Sequence, residues 1–448
     1  MKSVPAALAA FQPSAPLRHV VEAMRIRGHE VWMVGGVVRD LARGAGAGEI
    51  DLATSAGADE VAAIFSKVVE TGIDHGTVTV LEGGEAFELT SFRGADPRSI
   101  AEDLALRDFT INAMAYDPLE GTFLDPHGGL EDLERRLVRG VGDPESRLRE
   151  DPLRAMRACR FAARFGFRIE RETRRAIPRI LELFPRVAVE RVQSELSKIL
   201  LAPHPRYGIE LLRRTGLLAQ VIPELLEGLG MRQNRWHRYD VYHHVLRSLD
   251  AAPARLVVRL ATLLHDIDKP RTAAPSPKAA GELSFYNHEK SGAARARAIC
   301  ERLRYPNRLA ADVEVLVREH QFVYTDEWSD GAVRRMLARV GEARFDDLLA
   351  VREADIRGRG IATTEAEGLE NLRALAARVH RLQASRPALQ VKDLVVTGQD
   401  VIAALGIEPS PAVGEALKHL LDRVLEDPAS NERGVLLEEL ERWSRRNF

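Results

Sequence analysis

The chain has 448 residues, 45% hydrophobic and 29% charged. That length implies about three domains at ~150 residues each. The composition is that of a soluble globular protein, and no apolar run approaches the ~20 residues a membrane span needs. Lysine and arginine total 64 against 66 acids. Net charge therefore advertises no nucleic-acid partner, and any such surface must be local. Two cysteines, Cys159 and Cys300, are too few for a disulfide framework and point to a reducing compartment. Residues 1–16 lack the sustained apolar core of a signal peptide, so the expected location is cytoplasmic.

Residues 17–27 have helical spacing and stop at Gly28. Val31–Val34 reads as a short buried strand, broken by Gly35 and Gly36. One or two helical turns follow over 37–43, with Arg39 and Asp40 at their polar edge. A glycine-rich turn, 44–48, leads to a second strand over 49–52. The paired glycines have no β-carbons, so their backbone N–H groups can face a phosphate. Glu49 and Asp51 are two residues apart, so both side chains leave one face, with Cα atoms roughly 6.5–7 Å apart. Such a pair can share metal ions held ~3.5–4 Å from each other. A surface turn before an ordinary strand with exposed acids accounts for these residues equally well at this point.

Residues 58–68 look helical. Segments 77–81 and 86–90 alternate like strands joined by a Gly83-Gly84 turn. Glu88 falls on the face opposite Phe87 and Leu89. It is a candidate third carboxylate, or a solvated edge residue. From about residue 130 onward the pattern is almost entirely helical, and 272–281 is its most linker-like stretch. The fold class is α+β: a small α/β head followed by a long helical remainder.

Two stretches carry further chemistry. Arg107-Asp108 is an adjacent cation–anion pair of the kind that holds a ribose hydroxyl and a phosphate oxygen together. A surface ion pair would look the same. In the run 147–161, Pro152 fits the first turn of a helix. Asp151 and Arg154 are i,i+3 neighbours, and Glu150 can brace Arg154 at i,i+4. An acceptor beside a donor can read a base edge, at about 1–3 kcal/mol per bidentate contact. A capped helix with stabilising charge pairs is the plainer explanation. The arginine density over 135–191, including Arg157 and Arg160, favours a phosphate-facing surface.

Together these motifs resemble the class II tRNA nucleotidyltransferase and bacterial poly(A) polymerase family, in that family's order. They are Gly35-Gly36-Val37-Val38-Arg39-Asp40, the acidic pair before Leu52-Ala53-Thr54, Arg107-Asp108-Phe109-Thr110-Ile111-Asn112-Ala113, and Glu150-Asp151-Pro152-Leu153-Arg154. The segments 189–196, 216–218 and 223–225 also resemble it. The resemblance implies a head over 1–140, a helical neck with a base-recognition motif over 141–230, and a C-terminal helical tail over 361–448. It implies Mg²⁺-dependent addition of C, C and A to tRNA 3′ ends from CTP and ATP, without a nucleic-acid template. Glu49 and Asp51 would hold Mg²⁺, with Glu88 beside them. Gly35, Gly36, Arg39, Arg107, Asp108, Asn112, Arg157 and Arg160 would face the nucleotide. Asp151 and Arg154 would pair with its base, and Glu150 would orient Arg154.

Three positions depart from the family's pattern. Glu49 stands where Asp is usual, and Leu106 where a first arginine is usual. Segment 93–103 is shorter than the flexible loop of full CCA-adding members. A short loop is the mark of members that add only CC, so the resemblance leaves both CCA addition and CC addition open. The second would need a separate A-adding enzyme acting in sequence.

A second constellation comprises His244, His265-Asp266, His288, His320 and Asp355. It resembles the HD phosphohydrolase domain, which implies such a domain over 231–360. Imidazole and carboxylate ligands suit a divalent, transition-type metal that generates hydroxide for attack on a phosphate ester. His243 reads as structural. Asp268 stands where that family usually has Gly. Two alternatives to tRNA nucleotidyl transfer stay open: a poly(A) polymerase, and a non-catalytic RNA-end-binding protein with a decayed head.

Overall fold

The computed structural model describes residues 4–72, 76–277, 279–384 and 388–447; Lys278, in the linker-like stretch, and Phe448, at the end of the tail, lie outside them. The chain is α+β, and it divides into two compact units, Met1–Val221 and Ile222–Phe448.

The first unit carries the main sheet. Its strands are β1 (Val31–Val34), β2 (Ile50–Thr54), β3 (Val68–Gly72), β4 (Thr77–Glu82), β5 (Glu85–Ser91), β6 (Ala115–Tyr116) and β7 (Phe123–Leu124), in the order β3-β4-β5-β2-β1-β6-β7. β1 is antiparallel to β2 and β6, while β2 and β5 run parallel. The helix Ala15–Ile26 precedes the sheet. Ser14 caps it by accepting from the Leu17 N–H at 3.2 Å. Leu17, Val20, Val21 and Met24 form its buried stripe.

Gly83 and Gly84 both have positive φ, +56° and +85°. Such a pair closes the two-residue turn that matches the twist of a hairpin. On the other edge of β5, the parallel register with β2 sets Asp51 directly beside Glu88. The helix expected over 58–68 is shorter, Ala58–Ile64, and Val68 and Val69 belong to β3. Both are β-branched and pack well on a pleated surface. The helical run after residue 130 is likewise interrupted, by a parallel pair of Leu137–Val138 with Arg168–Ile169.

Beyond the sheet, the helix Leu153–Phe165 buries Ala155, Met156, Ala158 and Cys159 and carries arginines at its edges. Burial pushes the Cys159 thiol up to about 12, so it is no nucleophile at neutral pH. The neighbouring helices Val189–Leu200 and Pro205–Thr215 pack closely. A β-carbon on Gly208 would meet the Ala163 Cβ at 2.9 Å and the Ile199 Cγ2 at 2.6 Å.

The second unit is helical. Helices Val241–Ala251, Leu256–Leu264, His288–Arg302, Asn307–Glu319 and Phe345–Gly358 pack together. Gly358 lets two of them touch, since a β-carbon there would fall 2.0 Å from the Ser248 Oγ. Helices Gly398–Leu405, Pro411–Glu426 and Arg433–Asn447 close on Val401, Leu420, Val424, Leu436 and Leu440. The linker-like stretch is instead half of a small hairpin, Ala274–Pro275 against Leu283–Ser284. Among the described residues, no helix is long and apolar enough to cross a membrane.

Candidate functional site

Two constellations stand out, one in each unit. The first is built where β1 ends. Gly35 adopts φ +71°, and a β-carbon there would lie 3.1 Å from the Arg107 Nη1 and 3.7 Å from the Asp51 Oδ2. The bare backbone thus touches a guanidinium and a carboxylate at once. Asp51 is half-buried, whereas Glu49 and Glu88 are exposed. Burial, then Glu88, then Glu49 push the Asp51 carboxyl up to about 6, against the pull of Arg107 and Arg39. Repelling carboxylates around a partly desolvated one are a setting that a cation relieves. The three do not form a set whose oxygens all lie within 4.8 Å of one another. Asp51 has Glu88 as its cross-strand neighbour. Glu49 lies just outside β2.

A relay of hydrogen bonds runs from this turn toward the helix Leu153–Phe165. Arg39 is buried and grips Asp40 through Nε and Nη2, both at 2.9 Å. Its Nη1 donates to the Asn112 Oδ1 at 2.6 Å. The Asn112 Nδ2 donates to the Asp108 Oδ1 at 3.0 Å, and Arg157 donates to the Asp108 Oδ2 at 2.8 and 2.6 Å. Burial alone would raise Asp108; Arg157 and Asn112 hold it below the ordinary carboxylate value. The guanidinium of Arg39 also lies over the Phe165 ring, 4.7 Å from its centroid.

Arg107 and Asp108 are adjacent in sequence but do not pair with each other. Arg107 binds Asp103, with Nη2 at 2.9 Å from Oδ2, and Arg93 binds the other Asp103 oxygen at 2.8 Å. One buried carboxylate thus clasps two arginines. The short connection before it is held by Glu102, whose Oε2 accepts from the Ala95 and Asp96 N–H groups at 2.8 and 3.0 Å.

Asp151 sits in a break between helices Pro144–Glu150 and Leu153–Phe165, with extended backbone before Pro152. Its Oδ2 accepts from the Arg191 Nη2 at 2.8 Å. Arg154 is braced by Glu150 at 3.0 Å and donates to the Leu106 carbonyl at 3.3 Å. Arg160 binds buried Glu195 at 2.7 Å.

These groups line one cavity of about 420 Å³. Gly35, Gly36, Arg39, Asp51, Arg107, Asp108, Asn112, Asp151, Arg154, Arg157 and Arg160 all face it. Glu49, Glu88 and Glu150 are not in its wall. Arg93, Phe161, Arg164 and Arg191 join the wall as residues that motif reading did not single out. Arg191 lies inside the 189–196 segment, so its position was within reach of sequence. Arg93 offered no local signal, because its place is set by Asp103, ten residues on. A wall of arginines with a carboxylate floor suits a polyphosphate carrying cations.

The second constellation lies in the second unit. His244, His265, Asp266, His288, His320 and Asp355 are all buried and converge. The Nδ1 atoms of His265, His288 and His320 each lie 2.7 Å from a backbone carbonyl, of Thr262, Phe285 and Val317. Each Nδ1 therefore carries a proton and donates it, which turns each Nε2 toward the cluster. The His244 and His265 Nε2 atoms lie 3.4 and 3.2 Å from the Asp266 Oδ2, and His288 lies 3.3 Å from the Asp266 Oδ1. The Asp266 Oδ2 also lies 2.7 Å from the Lys269 Nζ, while the Asp266 Oδ1 and the His288 Nε2 are buried without a well-aligned hydrogen bond.

Burial alone would raise Asp266 and Asp355. His265 and Lys269 around the first, and Arg359 and Arg352 around the second, hold both well below the ordinary value. Burial lowers His320 well below its own. Ionised carboxylates and a neutral imidazole, with orphaned atoms turned inward, form a donor set that fits a divalent metal.

Motif reading did not single out His237, which joins His244 and Asp355 within the same 4.8 Å limit. Its only sequence signal is a histidine seven residues before His244. His243 turns to Asp240 instead, at 2.8 Å. Asp268 needs no glycine-type backbone, at φ −105°, and its carboxylate faces Arg295 at 3.3 Å rather than the cluster.

A family model for the poly A polymerase head domain matches residues 31–139. Models for a probable RNA- and SrmB-binding site of polymerase A and for a putative tRNA nucleotidyltransferase domain 2 match 166–229 and 285–440. An A-adding tRNA nucleotidyltransferase of Deinococcus radiodurans is 36% identical, over 87% of this chain and 90% of its own. A CCA-adding enzyme of Levilactobacillus brevis is 33% identical, over 94% and 96%. The crystal structure of the Bacillus stearothermophilus CCA-adding enzyme with CTP superposes with a TM-score of 0.73 at 30% identity, covering 97% of this chain and 99% of that one.

Proposed function

This chain belongs to the family of CCA-adding enzymes and poly(A) polymerases, and on that premise we propose that its first unit adds CMP from CTP to tRNA 3′ ends. The observation that carries the reading is the cavity lined by Gly35, Asp51, Arg107, Asp151 and Arg154. The tRNA 3′-hydroxyl attacks the α-phosphorus, the bond to the bridging oxygen breaks, and pyrophosphate leaves. Arg107, Arg157 and Arg160 bind the triphosphate, while Asp151 and Arg154 read the base. Asp51, with Glu49 and Glu88 beside it, would hold Mg²⁺. When bound, that ion stabilises the attacking and leaving oxygens. By this reading Glu49 is the weaker ligand, because it is exposed and outside the strand.

Addition stops at CC, and a separate enzyme supplies the terminal A. The support is the short, clasped connection of residues 93–103, tied down by Glu102 and Asp103. A second reading, addition of C, C and A from CTP and ATP, is favoured by the CCA-adding relatives, and addition of the terminal A by the A-adding one. One experiment separates them. The full chain is given tRNA ending before CCA, after C or after CC, with CTP, ATP or both. Two C residues and no A support the proposal. Addition of A to the CC substrate favours the second reading, and long A tracts indicate a poly(A) polymerase. No extension with any metal leaves an RNA-end-binding protein.

The second unit is an HD-type phosphohydrolase in this reading. His244, His265, Asp266, His288, His320 and Asp355 would hold a divalent metal of transition type, a reading supported by their convergence around the Asp266 carboxylate and by the inward Nε2 atoms. When bound, that metal lowers the pKa of water for attack on a phosphate ester. Release of inorganic phosphate from phosphoesters, lost in Asp266→Asn, tests it.

A further inference from the structure

The cationic surface of the first unit continues past the nucleotide cavity. A cleft of about 770 Å³ adjoins it, and Arg160 and Arg164 stand in the walls of both. The cleft adds Arg43 and Lys198, so four cations face one acid, Asp40. That acid is already engaged. Its two oxygens accept from Arg39 at 2.9 Å each, and the Arg164 Nη2 lies 3.3 Å from its Oδ2. Phe165, also in the wall, has three guanidiniums around its ring, with Arg43, Arg39 and Arg164 at 4.4, 4.7 and 5.1 Å from the centroid. Arg160 is fixed by Glu195 at 2.7 Å, while the other Glu195 oxygen lies 3.6 Å from the Lys198 Nζ. The side chains of Lys198 and Arg164 remain about half-exposed.

Part of the wall is the glycine-rich turn before β2. A β-carbon on Gly46 or Gly48 would meet nothing within 4 Å, so the bare backbone lies open to an anion. Leu201 adds apolar wall. Apolar walls beside charges of one sign focus the field and concentrate counter-ions. Among the described residues, the lining holds no amide and no hydroxyl side chain. It therefore has little with which to read a base edge or a ribose 2′-hydroxyl, the groups on which RNA recognition relies. Its chemistry selects bare phosphate oxygens.

Resting on the CMP-transfer reading, we propose that this cleft takes the pyrophosphate released in each cycle. Arg160 is among the arginines that bind the triphosphate, and it is also part of the shared wall. Once the bond to the α-phosphorus has broken, the freed pyrophosphate passes Arg160 and Arg164 and is bound by Arg43 and Lys198. No further bond changes. The cleft is thus a site for inorganic pyrophosphate in its own right, and its occupancy sets product inhibition.

The test uses the full chain with Mg²⁺. Pyrophosphate binding is measured by equilibrium dialysis. Its inhibition of CMP transfer to tRNA lacking the 3′ CCA is measured separately. Arg43→Gln and Lys198→Ala are each expected to weaken binding and inhibition about tenfold, the scale of one charge-assisted contact. Lys198→Arg keeps the charge and is expected to bind pyrophosphate like the parent. The KM for CTP, the KM for tRNA and the single-turnover transfer rate are expected to stay unchanged in all three, because neither side chain lines the nucleotide cavity. Pyrophosphate affinity unchanged in either neutral variant overturns the proposal. So does a raised KM for tRNA with inhibition unchanged, which assigns the cleft to RNA phosphates. Pyrophosphate binding that falls in both neutral variants, in a chain that transfers no CMP, upholds the site and overturns the transfer reading instead.

Discussion

Gly35 shows why a single backbone position organises the first unit. Its φ of +71° is one that L side chains rarely adopt, and a β-carbon there would crowd the Arg107 Nη1 at 3.1 Å. Gly35→Ala combines backbone strain of about 1–2 kcal/mol with displacement of a guanidinium. It is expected to lower the melting temperature by several degrees and to raise the KM for CTP more than it lowers kcat; steady-state kinetics and thermal unfolding measure both. Asp103 acts through the two arginines it holds. Asp103→Asn keeps the shape but removes the charge that fixes Arg93 and Arg107. CTP affinity is expected to fall about tenfold, the scale of one charge-assisted contact, and an unchanged dissociation constant would sever the clasp from nucleotide binding. The motif residues of this cavity were legible in the sequence because each lies in a short contiguous run. Their partners were not. Arg107 pairs four residues back with Asp103, and Asp108 pairs forty-nine residues on with Arg157. Sequence adjacency says nothing about such tertiary choices.

At the scale of elements, periodicity located β1, β4 and β5 closely, because alternation and paired glycines are strong local signals. It missed β3, where two β-branched valines follow a helix without a glycine or proline between them. It also read the proline-containing 272–281 stretch as a linker, since a two-residue strand has no periodicity to detect. In the second unit, Glu227 ties the turn Pro223–Gly228 to the helix His288–Arg302 through Arg295, and to Arg271 at 3.1 Å. Hydrogen bonding from Arg295 first, then Arg271, holds Glu227 at about 2 against an ordinary 4.5. A lowered carboxylate pKa means the folded state resists protonation. Its stabilisation is therefore complete above about pH 4.5 and is lost as pH falls toward 2. Glu227→Gln is expected to flatten the acid limb of the stability curve between those values, with a loss near neutrality of at most about 1 kcal/mol. Denaturant melts from pH 2 to 7 measure it, and an acid limb identical to the parent's would contradict the assignment.

For the molecule as a whole, two units of different construction carry two different cation-seeking clusters. The first is partly open, with Asp51 raised and its companions exposed. The second is buried, and its carboxylates and imidazoles form a donor set that fits a divalent metal. A metal that binds only the folded state at one hundred times its dissociation constant adds about 2.7 kcal/mol. Transition-metal ions are therefore expected to raise an unfolding transition by several degrees, and Asp266→Asn is expected to abolish the rise. Calorimetry with and without a chelator measures it. The most direct measurement concerns the carboxylate floor of the first unit. Asp51→Asn is compared with the parent in single-turnover transfer of CMP to tRNA lacking its 3′ CCA, with CTP binding measured alongside. The transfer rate is expected to fall by at least about a hundredfold, with CTP still bound by the arginine wall. Transfer within about tenfold of the parent would contradict it, and would move the chemistry away from the floor beside Gly35.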